Sequence, residues 1–432
     1  MRHEGKLLAF AISAWAATAH ATNGMNLEGY GPLGMSMGGA SMAYDSGLAA
    51  MMNNPATLAL SGQGSQMALA LHHLGPDVKV QGVADSGGNS YFMPAAGWGR
   101  KTGALTYGVG MFAQGGMGTE YGRSSPFSMG TGQEVRSELG VGRLIFPVAY
   151  EVTPDLAVGA SLDFVWAMLD LGMVATRNDV LGMTSNTVDI NTAPYGNASF
   201  AHIGFSDSND FTGKAKGTGW AGKLGLTYKV NPNLTFGAAY HSKTALGDME
   251  TSGTGASMTL FNNVGTQIGV PLVGKMTVIN FQWPETYAAG LAWQATSKVM
   301  LAADIRRLKW SDAMQNFRMS FSGMSMTMPQ QWRDQDVYSV GLQYRPNDRL
   351  GLRVGYNYGK NPVPDDYLHP LFPATVETHY TAGFDYRLSD RGCIAFAVSY
   401  APKVTDTNTL SAPGTTVSHS QLSLMLGYNH QF

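Results

Sequence analysis

The chain has 432 residues, a formal net charge of −2 and 13% charged residues, set against 54 glycines, 19 tyrosines and 8 tryptophans. So small a charge offers no hold on nucleic acid or any strongly charged partner, and the single cysteine, Cys393, permits no internal disulfide. Beyond the N-terminus no apolar run reaches the roughly 18 charge-free residues a membrane helix needs, which excludes a helical membrane protein.

Arg2 and Lys6 precede a short apolar run, Leu7 to Ala19, and Ala19-His20-Ala21 fits an A-x-A cleavage site, so residues 1–21 read as an export signal peptide. Residues 22–62 come next, rich in Gly, Met and Ala, with Leu48 to Met52 suited to a short helical turn that ends before Pro55. This segment is too short for a domain and too apolar for a free tail, so it is expected to pack inside something larger.

From about Ser65 to Phe432 apolar and polar residues alternate in segments about ten long, the period of half-buried strands. In the clearest one, Leu156, Val158, Ala160, Leu162, Phe164, Trp166 and Met168 form a lipid-suited face against Ala157, Gly159, Ser161, Asp163, Val165 and Ala167. Short turns fall at residues 100–102, 153–155, 231–233, 296–298, 346–348 and 389–391, and longer connections lie between them. Six short turns and seven long loops imply about fourteen strands with both ends in the periplasm, the even number that bacterial barrels show. Residues 63–432 are therefore read as an all-β, transmembrane antiparallel β-barrel of the outer membrane, with residues 22–62 as a plug in its lumen. The terminal aromatic, Phe432, resembles the signal by which barrel assembly machinery recognises its clients.

Two strings carry superficial catalytic patterns. Gly29-Tyr30-Gly31-Pro32-Leu33-Gly34 matches G-x-G-x-x-G without the flanking strand and helix that would seat a pyrophosphate. Gly34-Met35-Ser36-Met37-Gly38 matches G-x-S-x-G but lacks the strand that leads into a nucleophile elbow. Both are better explained as glycines that permit close packing. His72 and His73 are adjacent on a strand and point to opposite faces, so they do not share an ion. No metal-ligand spacing and no cofactor motif is present.

The plug residues Gly38-Gly39-Ala40, Ala43-Tyr44-Asp45 and Asn53-Asn54-Pro55-Ala56 resemble the N-terminal hatch of the FadL / OmpP1 / TodX family, outer-membrane transporters of long-chain fatty acids and hydrophobic compounds. The similarity continues through Gly108–Tyr121, Trp220–Gly247 and Trp332–Pro364, and in weaker form through Asn280–Trp310. The resemblance implies a monomeric fourteen-stranded barrel whose hatch blocks the lumen, with Asn54, Pro55 and Ala56 as the gate. It further implies a groove that collects a hydrophobic molecule and a lateral opening in the third strand that releases it into outer-membrane lipid.

The residues of that third strand point the same way. Gly103, Gly108 and Gly110 lead into Gly115-Gly116, while the neighbouring strands hold Pro94 and Pro147. Proline donates no ladder bond and interior glycine weakens a strand, so a kink from Phe112 to Gly118 is expected to open the wall.

For the ligand, the candidates are the external-loop methionines Met314, Met319, Met324, Met326 and Met328, whose flexible thioethers conform to varied apolar surfaces. Arg333, next to Trp332, and Arg177 are candidates to hold a carboxylate, which is costly to desolvate alone. A mixed-sign set including Asp163, Lys223, Asp304, Arg306, Arg353 and Asp385 falls on the lumen face and is expected to anchor the hatch. Two other classes compete: a general porin or structural barrel, which would conduct ions, and a membrane hydrolase, which would need His and an acid near a serine such as Ser36.

Overall fold

The structure is a computed structural model that describes residues 23–182, 195–209 and 212–432. The signal peptide expected over residues 1–21 lies outside them. The wall begins with β1 (Gly64–Val80), β2 (Tyr91–Thr102), β3 (Leu105–Tyr121), β4 (Val135–Glu151), β5 (Leu156–Thr176), β6 (Ala215–Asn231) and β7 (Leu234–His241). It continues with β8 (Thr286–Gln294), β9 (Val299–Leu308), β10 (Gln335–Tyr344), β11 (Leu350–Gly359), β12 (Thr378–Arg387), β13 (Gly392–Thr407) and β14 (Thr416–Gln431). Each strand pairs antiparallel with the next, and β1 pairs with β14 from Gln66↔Gln431 to Val80↔Val417, so the fourteen strands close into a barrel.

The strand alternation fixes which face meets what. On β5, Val158 and Leu162 are exposed at 41% and 55%, whereas Ala157 and Asp163 on the other parity are buried. Leu69, Leu224, Val340, Val354 and Leu426 are exposed in the same way around the circumference. In water such a belt would be an aggregation hazard; in lipid it is the favourable outer surface. Above the wall the long loops add short strands, including Phe200–Phe205 against Ala256–Phe261 and the hairpin Asn316–Phe321 with Met324–Pro329. These enclose an outer apolar cluster that includes Tyr121, Leu171, Phe205, Trp283, Phe317 and Phe372.

The segment from Asn23 to Ser61 is not part of the wall. It forms the helix α1 (Gly31–Ser36) and two 3₁₀ turns, Gly47–Met51 and Pro55–Leu60, and most of it is buried within the barrel. The two catalytic-looking strings fall here: the Ser36 hydroxyl donates to the Leu33 carbonyl at 3.0 Å, a bond within its own helix.

Candidate functional site

The hatch is fastened to the lumen face on several sides, and the fastenings use its backbone. Asp304 of β9 accepts from the N–H groups of Ser41 and Met42 at 2.6 and 3.1 Å, and Arg306 of the same strand donates to the Gly39 carbonyl at 3.4 Å. Thr381 of β12 accepts from Gly38 N–H at 2.9 Å, and Asn357 of β11 donates to the Gly38 carbonyl at 3.0 Å. Gly38 has φ +67°, and a Cβ there would lie 2.7 Å from the Tyr356 nitrogen, so backbone meets backbone with no room for a side chain. Asp304→Ala strips the acceptor from two buried N–H groups, an expected loss of about 1–3 kcal/mol for each one left unpaired. Thermal unfolding in detergent, followed by the mobility shift of the folded barrel on a gel, checks it.

Asn54, Pro55 and Ala56 form a second fastening. Asn54 caps the second 3₁₀ turn, with Oδ1 accepting from Ala56 N–H at 3.0 Å and Nδ2 donating to the carbonyls of Met42 at 2.7 Å and Leu226 of β6 at 3.1 Å. Ala56 packs on Gly159 of β5, where a Cβ would come within 2.5 Å of the Ala56 nitrogen. This element is thus a clamp on β5 and β6. At the wall's weak point the hatch residues that bond to β3 are Met25 and Tyr30.

That weak point is where the glycines place it. The β2–β3 ladder runs from Thr102↔Leu105 to Ala96↔Met111 and then stops, although β2 continues outward to Tyr91 in register with β1. On the other side of β3, pairing with β4 skips Gly108 opposite Pro147 and shifts register between Ala113 and Gly115, leaving Gln114 as a bulge. From Phe112 to Tyr121, β3 has one partner strand instead of two.

Hatch backbone occupies the inner side of the break. Gly116 N–H donates to the Met25 carbonyl at 3.1 Å, and a Cβ at Gly115 would collide with that same oxygen. The Tyr30 hydroxyl donates to the Gln114 carbonyl at 2.7 Å and lies 3.0 Å from Asn26 Oδ1, which also accepts from Trp283 Nε1 at 3.2 Å. Burial pushes the Tyr30 hydroxyl well above its ordinary value, so at neutral pH it remains a protonated donor. Glu28, also buried in the hatch, is pushed up by desolvation.

A cavity of about 340 Å³ passes through this break. Leu74, Phe92, Pro94, Met111, Phe112 and Met117 line it, with Gly115 and Gly116 at its edge and Ala374 and His419 toward the loops. Among the described residues that line it are Glu138 and no lysine or arginine. A second cavity of about 370 Å³ lies below, between the hatch and strands β1, β2 and β14, and shares Met93, Phe112 and Ala113 with the first. Its floor carries Arg387 and Arg391.

Of the other expected ligand residues, the methionines and Trp332 share the outer apolar cluster, whereas Arg333 is exposed. Met314, just before the outer hairpin, and Met319 and Met324 within it are buried, Met326 and Met328 are half-buried, and all five pack in or against the apolar cluster, with Met319 opposite Met326. Trp332 is fully buried edge-to-face on Trp310, which in turn meets Trp283. Arg333, its neighbour, is exposed, and the Arg177 guanidinium donates to the Ala198 carbonyl within its own loop at 3.0 Å. Trp332 and Arg333 thus face opposite ways, as consecutive residues of an extended segment do, the ring into the apolar cluster and the guanidinium away from it. The residues that sequence reasoning missed are Asn26, Tyr30, Gln114 and Arg143; a bulged strand with a buried glutamine leaves no compositional mark.

The family model described as outer membrane protein transport protein (OMPP1/FadL/TodX) matches residues 8–426. The crystal structure of the Pseudomonas putida toluene transporter TodX is 32% identical, with TM-score 0.83 over 94% of this chain and 99% of that one. The Ralstonia pickettii toluene transporter TbuX is 34% identical, with TM-score 0.78 over the same shares. A Pseudomonas aeruginosa FadL homologue shares the fold at 16% identity and TM-score 0.74, over 95% of this chain and all of that one. An uncharacterized Chlorobium limicola protein is 46% identical over 81 residues, 18% of this chain and 40% of that relative's length. The closed barrel, the loops above it and the chain-long match agree: the chain belongs to the OMPP1/FadL/TodX family of outer membrane transport proteins.

Proposed function

We propose that this transporter takes up small uncharged hydrophobic molecules and releases them sideways into the outer leaflet through the break between β2 and β3. The observation that carries the reading is the unpaired interval beyond Ala96↔Met111 with an apolar cavity running through it. An apolar solute has no reason to cross a water-filled lumen when the lipid beside it is the better solvent. The cavity lining supplies no cation for a carboxylate, which favours hydrocarbons over fatty acids as cargo. Monoaromatic hydrocarbons are the first candidates, since TodX and TbuX, which are more than 30% identical over most of this chain, are named toluene transporters. In this reading the methionine face of the outer hairpin collects the solute, the clamp at Asn54-Pro55-Ala56 holds the hatch in place, and outer-membrane lipid receives the cargo. Barrel assembly machinery inserts the chain as a monomer.

A second reading is favoured by the lower cavity, which meets the first at Phe112 and leads toward the periplasmic turns. Two substitutions separate the routes. Met117→Trp narrows the break alone, and Ala70→Trp fills the lower cavity alone. With labelled toluene, hexadecane and oleate given to cells lacking the gene or carrying each variant, Met117→Trp is expected to reduce toluene uptake to the level of the gene deletion. Ala70→Trp is expected to leave it unchanged. The reverse pattern favours release to the periplasm, and unchanged uptake of all three on gene loss sinks the transport of these solutes.

A further inference from the structure

The break in the wall requires a cause, because a strand that leaves its neighbour within lipid strands backbone donors and acceptors without water. Nothing in the lengths of β2 and β3 prevents pairing. Extended past Ala96↔Met111 with one residue skipped, their register would bring Tyr91 opposite Met117. The skipped residue is Gln114, since Ala113 pairs with Gly142 and Gly115 with Val141.

The Gln114 side chain is buried, and its Oε1 accepts from Arg143 Nε. Arg143 in turn is held from behind. Its Nη1 donates to Asp163 Oδ2 at 2.9 Å, and Asp163 also binds Lys223 Nζ and the Ser161 hydroxyl, the latter at 2.6 Å. Arg143, Asp163 and Lys223 are 1%, 0% and 2% exposed, and none of them lines the cavity in the break. A planar guanidinium can grip Gln114 with Nε while Nη1 remains on the carboxylate, a two-sided hold that an ammonium group cannot reproduce in that geometry.

We infer that Arg143 is a positioning residue for transport: by drawing the Gln114 side chain into the lumen it keeps the extra residue bulged inward and β3 parted from β2. The inference rests on the lateral-release reading and deepens it, because it names what sets the width of the opening. The break is then a built state, held by a buried contact that the cargo never touches. Two variants release the hold differently. Arg143→Met leaves Asp163 paired with Lys223, so the buried charge stays balanced. Gln114→Ala leaves all three ionic residues in place.

The test is a cysteine pair, Tyr91→Cys with Met117→Cys, in a Cys393→Ser background so that no other thiol is present. With Arg143 and Gln114 intact the two thiols are expected to remain unlinked under mild oxidant. In Arg143→Met, and again in Gln114→Ala, they are expected to form a disulfide as the strands zip together, with the folded barrel's gel mobility retained and toluene uptake lost. Thiols that remain free in both folded variants overturn the inference. A disulfide that forms while uptake persists leaves the positioning role standing and instead refutes release through this break.

Discussion

Asp163→Ala is expected to lower the stability of the barrel by about 3–5 kcal/mol, the usual cost of breaking a buried ion set from one side. Asp163 is fully buried and faces two cations, Arg143 at 2.9 Å and Lys223. Removing the carboxylate leaves two like charges adjacent in a low-dielectric lumen with no anion to offset either. Urea-driven unfolding from lipid vesicles measures the loss. Replacing all three together, Arg143→Met with Asp163→Leu and Lys223→Met, is expected to recover most of it, because a complete apolar set of similar volume carries no desolvation cost. A single Asp163→Ala variant as stable as the parent would mean that water or a counter-ion reaches this cluster.

Gly159→Leu is expected to turn a plugged barrel into a leaky one. The Asn54-Pro55-Ala56 clamp approaches Gly159 so closely that a Cβ already meets the Ala56 nitrogen at 2.5 Å, and a leucine pushes the whole element off β5. Overpacking of this kind costs about 1–3 kcal/mol, which shifts the docked-to-undocked ratio of the hatch about 5- to 150-fold. Single-channel recording in planar bilayers is the measurement: brief ionic currents absent from the parent should appear, while the folded mobility on a gel is retained. Silence in both proteins would assign the clamp a packing role with no part in sealing the lumen.

The wall was legible because its rules are local and repeated. Period-2 alternation identified the lipid face of β5 through Val158 and Leu162, and turn residues at six short connections counted the strands before any geometry was known. The weakness of β3 was legible for a related reason, since Pro94, Pro147 and the glycines around them subtract ladder bonds wherever they fall. The cause of the bulge was not, because Gln114 is an ordinary strand residue until Arg143, on the next strand, reaches it. The same limit hid the hatch fastenings: Asp304 reads as a lumen charge, but its partners are the N–H groups of Ser41 and Met42, far away in the chain. At Trp332 and Arg333 the sequence names two neighbours, but only the fold shows that the first is buried against Trp310 and the second exposed.

The seam between β1 and β14 carries a consequence for biogenesis. The last strand pairs with the first along nearly its full length, from Gln66↔Gln431 to Val80↔Val417, so the cylinder stays open until β14 has reached β1. The hatch precedes β1 and is bonded to β3, β6, β9, β11 and β12, so its full seat exists only once strands from most of the wall have come together. Such extreme sequence separation makes closure slow. It also makes it a concerted event, in which the cork finds its seat as the staves are drawn together.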